Sequence, residues 1–282
     1  MKSPIMVRRL LGRLHARLGA SPKVLRALGK LSNQCEMLRG RQLAGHSTDF
    51  DREQWFLERF PGPISTVVDV GANVGDWTAM VAEIRKADDP TFLLYEPVSA
   101  NVTALEKRFQ GNPRVRVIAS ALGDVSGEAS IHISSWNDKL CSFAAPPEGG
   151  AHSEVVRVAR LDEELDARGI RSIDYLKIDA EGYDLHVLCG AEEAIRSRRV
   201  KALQFEYLGG AWKKVRSTIA EALNLLERRC GWRCWLLADR QLSVYDYAMH
   251  GETVVSMCFV AVPSEEAERL RPFRAGTDLE ST

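Results

Sequence analysis

At 282 residues, 45% of them apolar and 27% charged, the chain has the composition of an ordinary globular protein and enough length to bury a full core in one large or two small domains. No apolar run approaches the ~18 residues of a spanning helix, so a membrane-embedded bundle is excluded. The formal net charge is zero, yet residues 1–45 carry ten Lys and Arg against one acid, Glu36, which makes a basic arm on an acidic body.

Within that arm Ile5, Leu10, Leu11, Leu14 and Leu18, then Leu25, Leu28 and Leu31, recur at helical spacing with Arg between them. Gly19-Ala20-Ser21-Pro22 divides the arm into two helices, with Pro22 early in the second. Two readings stand: an arm that docks on a membrane surface or a partner, or helices packed on the main domain with a solvated basic face. Arg residues interrupt the apolar core that a secretory signal needs, and the six cysteines are scattered without a C-x-x-C pair. Reduced thiols in a cytoplasmic chain fit best; Cys230 and Cys234, four apart, are the pair where zinc or a disulfide is the alternative.

The most informative segment is Thr66-Val67-Val68-Asp69-Val70-Gly71-Ala72-Asn73-Val74-Gly75-Asp76-Trp77-Thr78. Its β-branched residues predict a strand over 64–70 buried on both faces. Gly71 and Gly75 predict a tight turn, and Asp76 or Thr78 is expected to cap a helix over 76–86. Such a strand-turn-helix forms a nucleotide or nucleoside site at the carboxyl end of a parallel sheet. The turn lacks the middle glycine of a dinucleotide fingerprint, and Asp69 would repel a pyrophosphate. The acid suits a cationic or zwitterionic ligand such as S-adenosylmethionine.

A second strand over 91–95 ends in Tyr95-Glu96-Pro97, where a carboxylate grips ribose hydroxyls in such folds. A helix over 99–110 with Ser99 as its cap and a strand over 115–120 follow, leading to Ala121-Leu122-Gly123-Asp124. The alternation predicts an open, doubly wound sheet. It breaks over about 128–158, where a hairpin and a Ser/Pro/Gly-rich loop are expected to cover the carboxyl edge. It resumes with a strand over 173–179, a helix over 185–198, a strand over 200–205, a helix over 216–229 and final strands over 232–238 and 254–261. Residues 264–282 read as a loose polar tail.

Asp69-Val70-Gly71-Ala72-Asn73-Val74-Gly75, Tyr95-Glu96-Pro97, Arg160-Leu161-Asp162 and Tyr175-Leu176-Lys177-Ile178-Asp179-Ala180-Glu181-Gly182 together resemble the FkbM family of S-adenosylmethionine-dependent methyltransferases. Leu188, Gly190-Ala191 and Glu206 complete the set, which spans about residues 64–260. The resemblance implies an α/β, Rossmann-like class I methyltransferase sheet, mostly parallel with a terminal antiparallel strand. It also implies O-methylation of hydroxyls on sugars or polyketide-type products. The domain reading is therefore a basic helical arm over 1–48, a methyltransferase domain over 49–263 and a polar tail over 264–282.

On this reading Gly71, Ala72, Asn73 and Gly75 present backbone to the donor's amino-acid part, and Asp69 holds its ammonium directly or through water. Glu96, followed by Pro97, takes the ribose hydroxyls, and Ala121 lies against the adenine edge. Asp179, Glu181 and Glu206 are the expected catalytic carboxylates. Three acids converging need a protonated member or a cation between them. Either Asp179 or Glu181 accepts the acceptor's proton, or Asp179 and Glu206 hold a hard cation such as Mg²⁺. The structural alternative is that Glu181 caps the next helix and Asp179 orders the loop. His132, His152 and His186 are weaker candidates for a base, Trp136 and Trp212 for stacking on an acceptor ring. Lys177 is expected either to reach solvent from a strand edge or to pair with a nearby acid.

The expected reaction is O-methyl transfer to a glycan, glycolipid or small metabolite. The alternatives are a nicotinamide-dependent oxidoreductase and a non-catalytic donor-binding module. A nucleic-acid target is not expected, because an Asn-Pro-Pro-Tyr-type motif is missing and the arm has few aromatics.

Overall fold

The computed structural model describes Lys30, Leu31, Gln34 and residues 50–134, 141–142, 151–253 and 255–274. Apart from Lys30, Leu31 and Gln34, the arm over 1–48 lies outside these residues, as do Trp136, residues 143–150 of the expected loop and the end of the tail over 275–282.

Four apolar runs form parallel neighbours at one end of an eight-stranded sheet: β1 (Thr66–Val70), β2 (Thr91–Glu96), β3 (Val115–Ala119) at the edge and, on the other side of β1, a strand at Tyr175–Ile178. In chain order β4 (Ala121–Leu122), β5 (Gly127–Ser134), β6 (Cys141–Ser142) and β7 (Ala151–Ala159) intervene, so that strand is β8. β9 (Leu203–Leu208) continues the parallel set beside β8. β12 (Ser256–Pro263) inserts antiparallel between β9 and β10 (Trp232–Ala238), and β11 (Gln241–Ser243) closes the edge. The order is β11-β10-β12-β9-β8-β1-β2-β3. This is the expected mostly parallel, Rossmann-like class I methyltransferase sheet: β12, the last strand in the chain, is antiparallel inside the order, and β11 is antiparallel at the edge.

Helices cover both faces. One layer holds α1 (Asp51–Arg59) and α2 (Asp76–Ile84); the other includes α5 (Asp184–Gly190) and α8 (Ile219–Leu223), the fifth and eighth helices in chain order. Between them come α3 (Ser99–Arg108), α4 (Leu161–Ala167), α6 (Glu192–Arg196) and α7 (Gly209–Lys214). α1 was not foreseen. It buries Glu53, Phe56 and Leu57 at i, i+3, i+4 spacing, the stripe of a core-facing helix. Phe56 is 1% exposed and packs edge-on against Phe273, so truncating it to Ala should cost ~3–5 kcal/mol.

Several boundaries moved for local reasons. The expected 185–198 helix is two, α5 and α6, because Asp162 of α4 caps the second: its carboxylate accepts from Glu193 N at 3.2 Å and Ala194 N at 2.8 Å. The expected 216–229 helix begins at Ile219, where Thr218 and Glu221 form a reciprocal capping box, and continues as a π-type turn over Asn224–Arg229. Neither Asp76 nor Thr78 caps α2; Gly75, at φ 84°, is the N-cap. Ser99 follows the N-cap Val98, and its hydroxyl donates to Glu154. The tail is not loose over Ser264–Phe273: it forms 3₁₀ turns that bury Leu270 and Phe273 against α1.

The interruption of the sheet rhythm is a second, four-stranded sheet of order β4-β7-β5-β6. β5 and β7 make the expected hairpin, with Gly127 opposite Val158 and Ser134 opposite Ala151. Ile131, Ile133, Val156 and Val158 pack with Val98 and Ala121 into a small separate core beside the carboxyl edge of β2.

Candidate active site

Strand register assembles the site. Parallel pairing sets Asp69 of β1 beside Lys177 of β8, and Lys177 beside Gln204 of β9. Strand side chains alternate between faces, so the three point to the α1/α2 side in one row. Val67 and Tyr175, one repeat below, belong to the apolar core of that face; Asp179 and Glu206, one repeat above, lie at the carboxyl edge.

The turn after β1 sits against the loop after β8. Gly71 has φ 73°, and a Cβ there would stand 1.9 Å from the carbonyl oxygen of Asp179. Glycine is therefore required by backbone contact as well as by conformation. Gly71 N and Ala72 N donate to Tyr95 O at 2.9 and 3.2 Å, which ties the turn to β2.

Glu96 finishes that tie. It is 4% exposed and accepts from Asn73 N (2.8 Å), Val98 N (3.0 Å) and Asn101 Nδ2 (3.2 Å). Burial pushes its carboxyl up, and these hydrogen bonds pull it partly back.

Above Gly71 and Glu96 lies a cleft at the carboxyl edge of the sheet. Its walls include Gly71, Asn73, Glu96, Pro97, Ala121, Leu122 and Ile131, with Asp179, Ala180 and Glu181 on the side of β8. The apolar end, contributed partly by the small sheet, faces a polar end of turn backbone and carboxylates. Five of the eight residues expected to bind the donor, Gly71, Asn73, Glu96, Pro97 and Ala121, line it, and Ala72 belongs to the turn beneath. Gly75 stands behind the turn, where a Cβ would meet Phe109 at 2.6 Å.

Asp69 does not reach the cleft. Its side chain is fully buried, 3.0 Å from the Lys177 ammonium, and accepts from Thr78 Oγ1 at 2.6 Å. Asp69, expected to hold the donor's ammonium directly or through water, is paired here with Lys177. Lys177 in turn lies 3.4 Å from Asp179 and donates to Gly71 O at 3.3 Å, so it pairs with acids and does not reach solvent. Burial pushes its ammonium down, but Asp69 and Asp179 outweigh that and hold it above its ordinary value.

The remaining acids differ by environment. Glu181, at φ 50°, lines the cleft; burial first, then Asp179, push its carboxyl up to about 7. Glu206 accepts from Ser256 Oγ, and burial followed by the adjoining Asp179 carboxyl raises it well above the usual range.

Glu181 does not cap α5. Asp184, which sequence reasoning missed, orders the loop by accepting from Ala180 N at 3.3 Å and Gly182 N at 3.2 Å. It is fully buried, and burial followed by Asp179 pushes it up to about 8. Its position in the first turn of a helix was the available signal.

A second cavity opens on the α1/α2 side, lined by Arg52, Glu53, Asp76, Lys177, Asp179, Gln204 and Glu206 among others. Asp179 lines both cavities. Gln204 accepts from Tyr175 Oη at 2.8 Å and donates to Glu53 at 2.9 Å, which fixes the cavity floor. Glu53 was also missed, because its burial depends on where α1 docks.

The expected Mg²⁺ site at Asp179 and Glu206 gains no support: the Lys177 ammonium already stands against Asp179, and Glu206 already accepts from Ser256. Among the described residues no group of three or more His, Cys, Asp or Glu could hold a metal ion. The weaker candidates lie elsewhere. His186 pairs with Asp124 at 3.1 Å and stacks on Tyr183, His132 meets Ser153, His152 faces Glu154, and Trp212 is fully buried against Phe205 and Tyr207.

The methyltransferase FkbM domain model matches residues 69–234, from the buried acid of β1 to the middle of β10. The chain belongs to the FkbM methyltransferase family. Membership decides for a methyltransferase over a nicotinamide oxidoreductase, and the family implies S-adenosylmethionine as donor. Comparison with curated proteins gave no match. Among solved structures, a methyltransferase FkbM from Methylobacillus flagellatus is similar at 16% identity and TM-score 0.47, over 70% of this chain and 43% of that one. The chain thus spans less than half the length of that relative. A precorrin-6y C5,15-methyltransferase from Geobacter metallireducens aligns at 9% identity and TM-score 0.41, over 75% of this chain and 86% of that one. A SAM-dependent methyltransferase from Agrobacterium tumefaciens aligns at 9% and TM-score 0.40, over 75% and 59%. None of these structures bears on what this FkbM chain acts on. No described helix is long and apolar enough to cross a membrane.

Proposed function

We propose that this FkbM methyltransferase is an S-adenosylmethionine-dependent O-methyltransferase whose acceptor is a hydroxyl of a glycan, a glycolipid or a small secondary metabolite. The observation that carries the reading is Asp179, a carboxylate shared by a half-apolar cleft and a polar cavity. The residues present fit the donor: Ala121, Leu122 and Ile131 offer an apolar wall for adenine, Glu96 an acid for the ribose, and Asn73 with the Asp179–Glu181 loop a polar end for the amino-acid part. When bound, the donor supplies an electrophilic methyl on a sulfonium.

The chain's own part is positioning and proton handling. Alignment of nucleophile and methyl supplies much of the rate in such a transfer. Arg52, Gln204 and Glu206 offer donors and acceptors suited to orienting a hydroxylated molecule in the second cavity. Glu181, poised at about 7, is the group suited to accept the proton that the acceptor hydroxyl loses as its oxygen takes the methyl.

The test is incubation with methyl-labelled donor and a panel of sugars, glycolipids and hydroxylated metabolites, with NMR of any product. A labelled methoxyl on carbon supports the reading; a methyl on nitrogen or carbon overturns it.

A further inference from the structure

Lys177 is 3% exposed on a strand whose other residues, Tyr175, Leu176 and Ile178, are apolar core. Three elements hold its ammonium. Asp69 of β1 lies at 3.0 Å, Asp179 beyond the end of β8 at 3.4 Å, and the Gly71 carbonyl accepts at 3.3 Å. The Trp77 ring of α2 faces it with its centroid at 5.7 Å. Asp69 is itself pinned by Thr78, so its carboxylate acts as an anchor. Burying a lysine in this way is costly unless the partners are fixed. A strand that needed only an apolar row would carry a β-branched residue here. Of the three acids that converge at the carboxyl edge, Asp179 is the one that this ammonium reaches, and it joins Asp179 to Asp69.

We propose that the Lys177 ammonium is the resident cation of this reaction centre: anchored by Asp69, it holds the Asp179 carboxylate at the junction of the two cavities and takes the place of a divalent metal. The inference rests on the donor reading above. Lys177 does not line the donor cleft and acts through Asp179, so it is a positioning residue. Its charge is nevertheless felt there, because Asp179 forms part of the cleft wall. Without the ammonium, Asp179 presents an uncompensated negative charge to the donor's sulfur. S-adenosylmethionine carries a positive charge on that sulfur and S-adenosylhomocysteine does not. Loss of Lys177 therefore changes the ratio of their affinities, whereas a purely structural role would weaken both alike.

The test is calorimetric titration of both ligands at pH 8 into the native chain, Lys177→Arg, Lys177→Met and the double variant Asp69→Asn/Lys177→Met. The double variant removes both buried charges, so it does not strand Asp69 as Lys177→Met alone does. The expected result is a shift of at least tenfold in favour of S-adenosylmethionine in the folded Met variants. Lys177→Arg should keep the native ratio within threefold, and EDTA or millimolar Mg²⁺ should not alter native binding. An unchanged ratio in a folded Met variant, or loss of native binding with EDTA, overturns the proposal while leaving the donor reading intact. Failure of the native chain to bind either ligand overturns the donor reading and this inference with it.

Discussion

Replacing Asp184 by Asn should flatten the fall of stability with rising pH. Asp184 is fully buried in the first turn of α5, and burial pushes its carboxyl from an ordinary 3.8 up to about 8. The folded value lies above the unfolded one, so its contribution to stability is fully present below 3.8 and is lost as pH rises through about 8. Across that window the unfolded chain has released the proton and the native chain still holds it, which costs ~1.4 kcal/mol per pH unit. Asn keeps the shape of the protonated acid and an oxygen to accept from Ala180 N or Gly182 N, but it cannot ionise. Urea denaturation of both proteins at pH 5.5 and 7.5 should show the native chain losing ~2.7 kcal/mol more than Asp184→Asn over those two units. The other raised acids, Glu53, Glu96, Glu181 and Glu206, are common to both proteins and drop out of the comparison to first order. Equal slopes for the two proteins would refute the account of Asp184 as a buried, protonated loop clamp.

Further outcomes are expected at the site. Gly71→Ala should abolish binding of S-adenosylhomocysteine and cost ~2–5 kcal/mol in thermal or urea unfolding, since its methyl would overlap the Asp179 carbonyl at a left-handed backbone position. Glu96→Ala should weaken the same ligand at least tenfold by freeing Asn73 N and Val98 N, and calorimetry would detect it. Once an acceptor is identified, the methylation rate of the native chain should rise with pH to a plateau above about 7, the value set for Glu181. Glu181→Gln should lose that rise and ~10²–10⁴ in rate. Asp162→Ala should cost only ~1 kcal/mol, the worth of a helix cap, and leave donor binding unchanged, which separates a folding residue from the site residues around it.

The parts of this protein legible in its sequence are those fixed by local pattern. The β1 turn announced itself through Val67, Val68 and Val70 followed by two glycines, and the mostly parallel, doubly wound sheet followed from the alternation of apolar runs and helices. The partners of the acids were not legible in the same way. Asp69 and Lys177 are 108 positions apart and meet only through the β1–β8 register. A strand-end acid looks equally suited to a ligand or to an internal lysine until that register is known. Glu53 and Gln204 form a buried polar pair because α1 docks across β9, a tertiary event that propensity does not encode. α1 itself carried a readable apolar stripe, which its position between the arm and the first strand obscured. Asp162 matched the family pattern, and the structure shows that it clamps α6.

The central claim is that the cleft over Gly71 and Glu96 is a donor site. Calorimetric titration of the purified chain with S-adenosylhomocysteine, beside NADH, tests it most directly. The account predicts micromolar, one-to-one binding of S-adenosylhomocysteine, lost in Glu96→Ala, and no heat from NADH. Binding of NADH in its place, or of neither ligand, would contradict it.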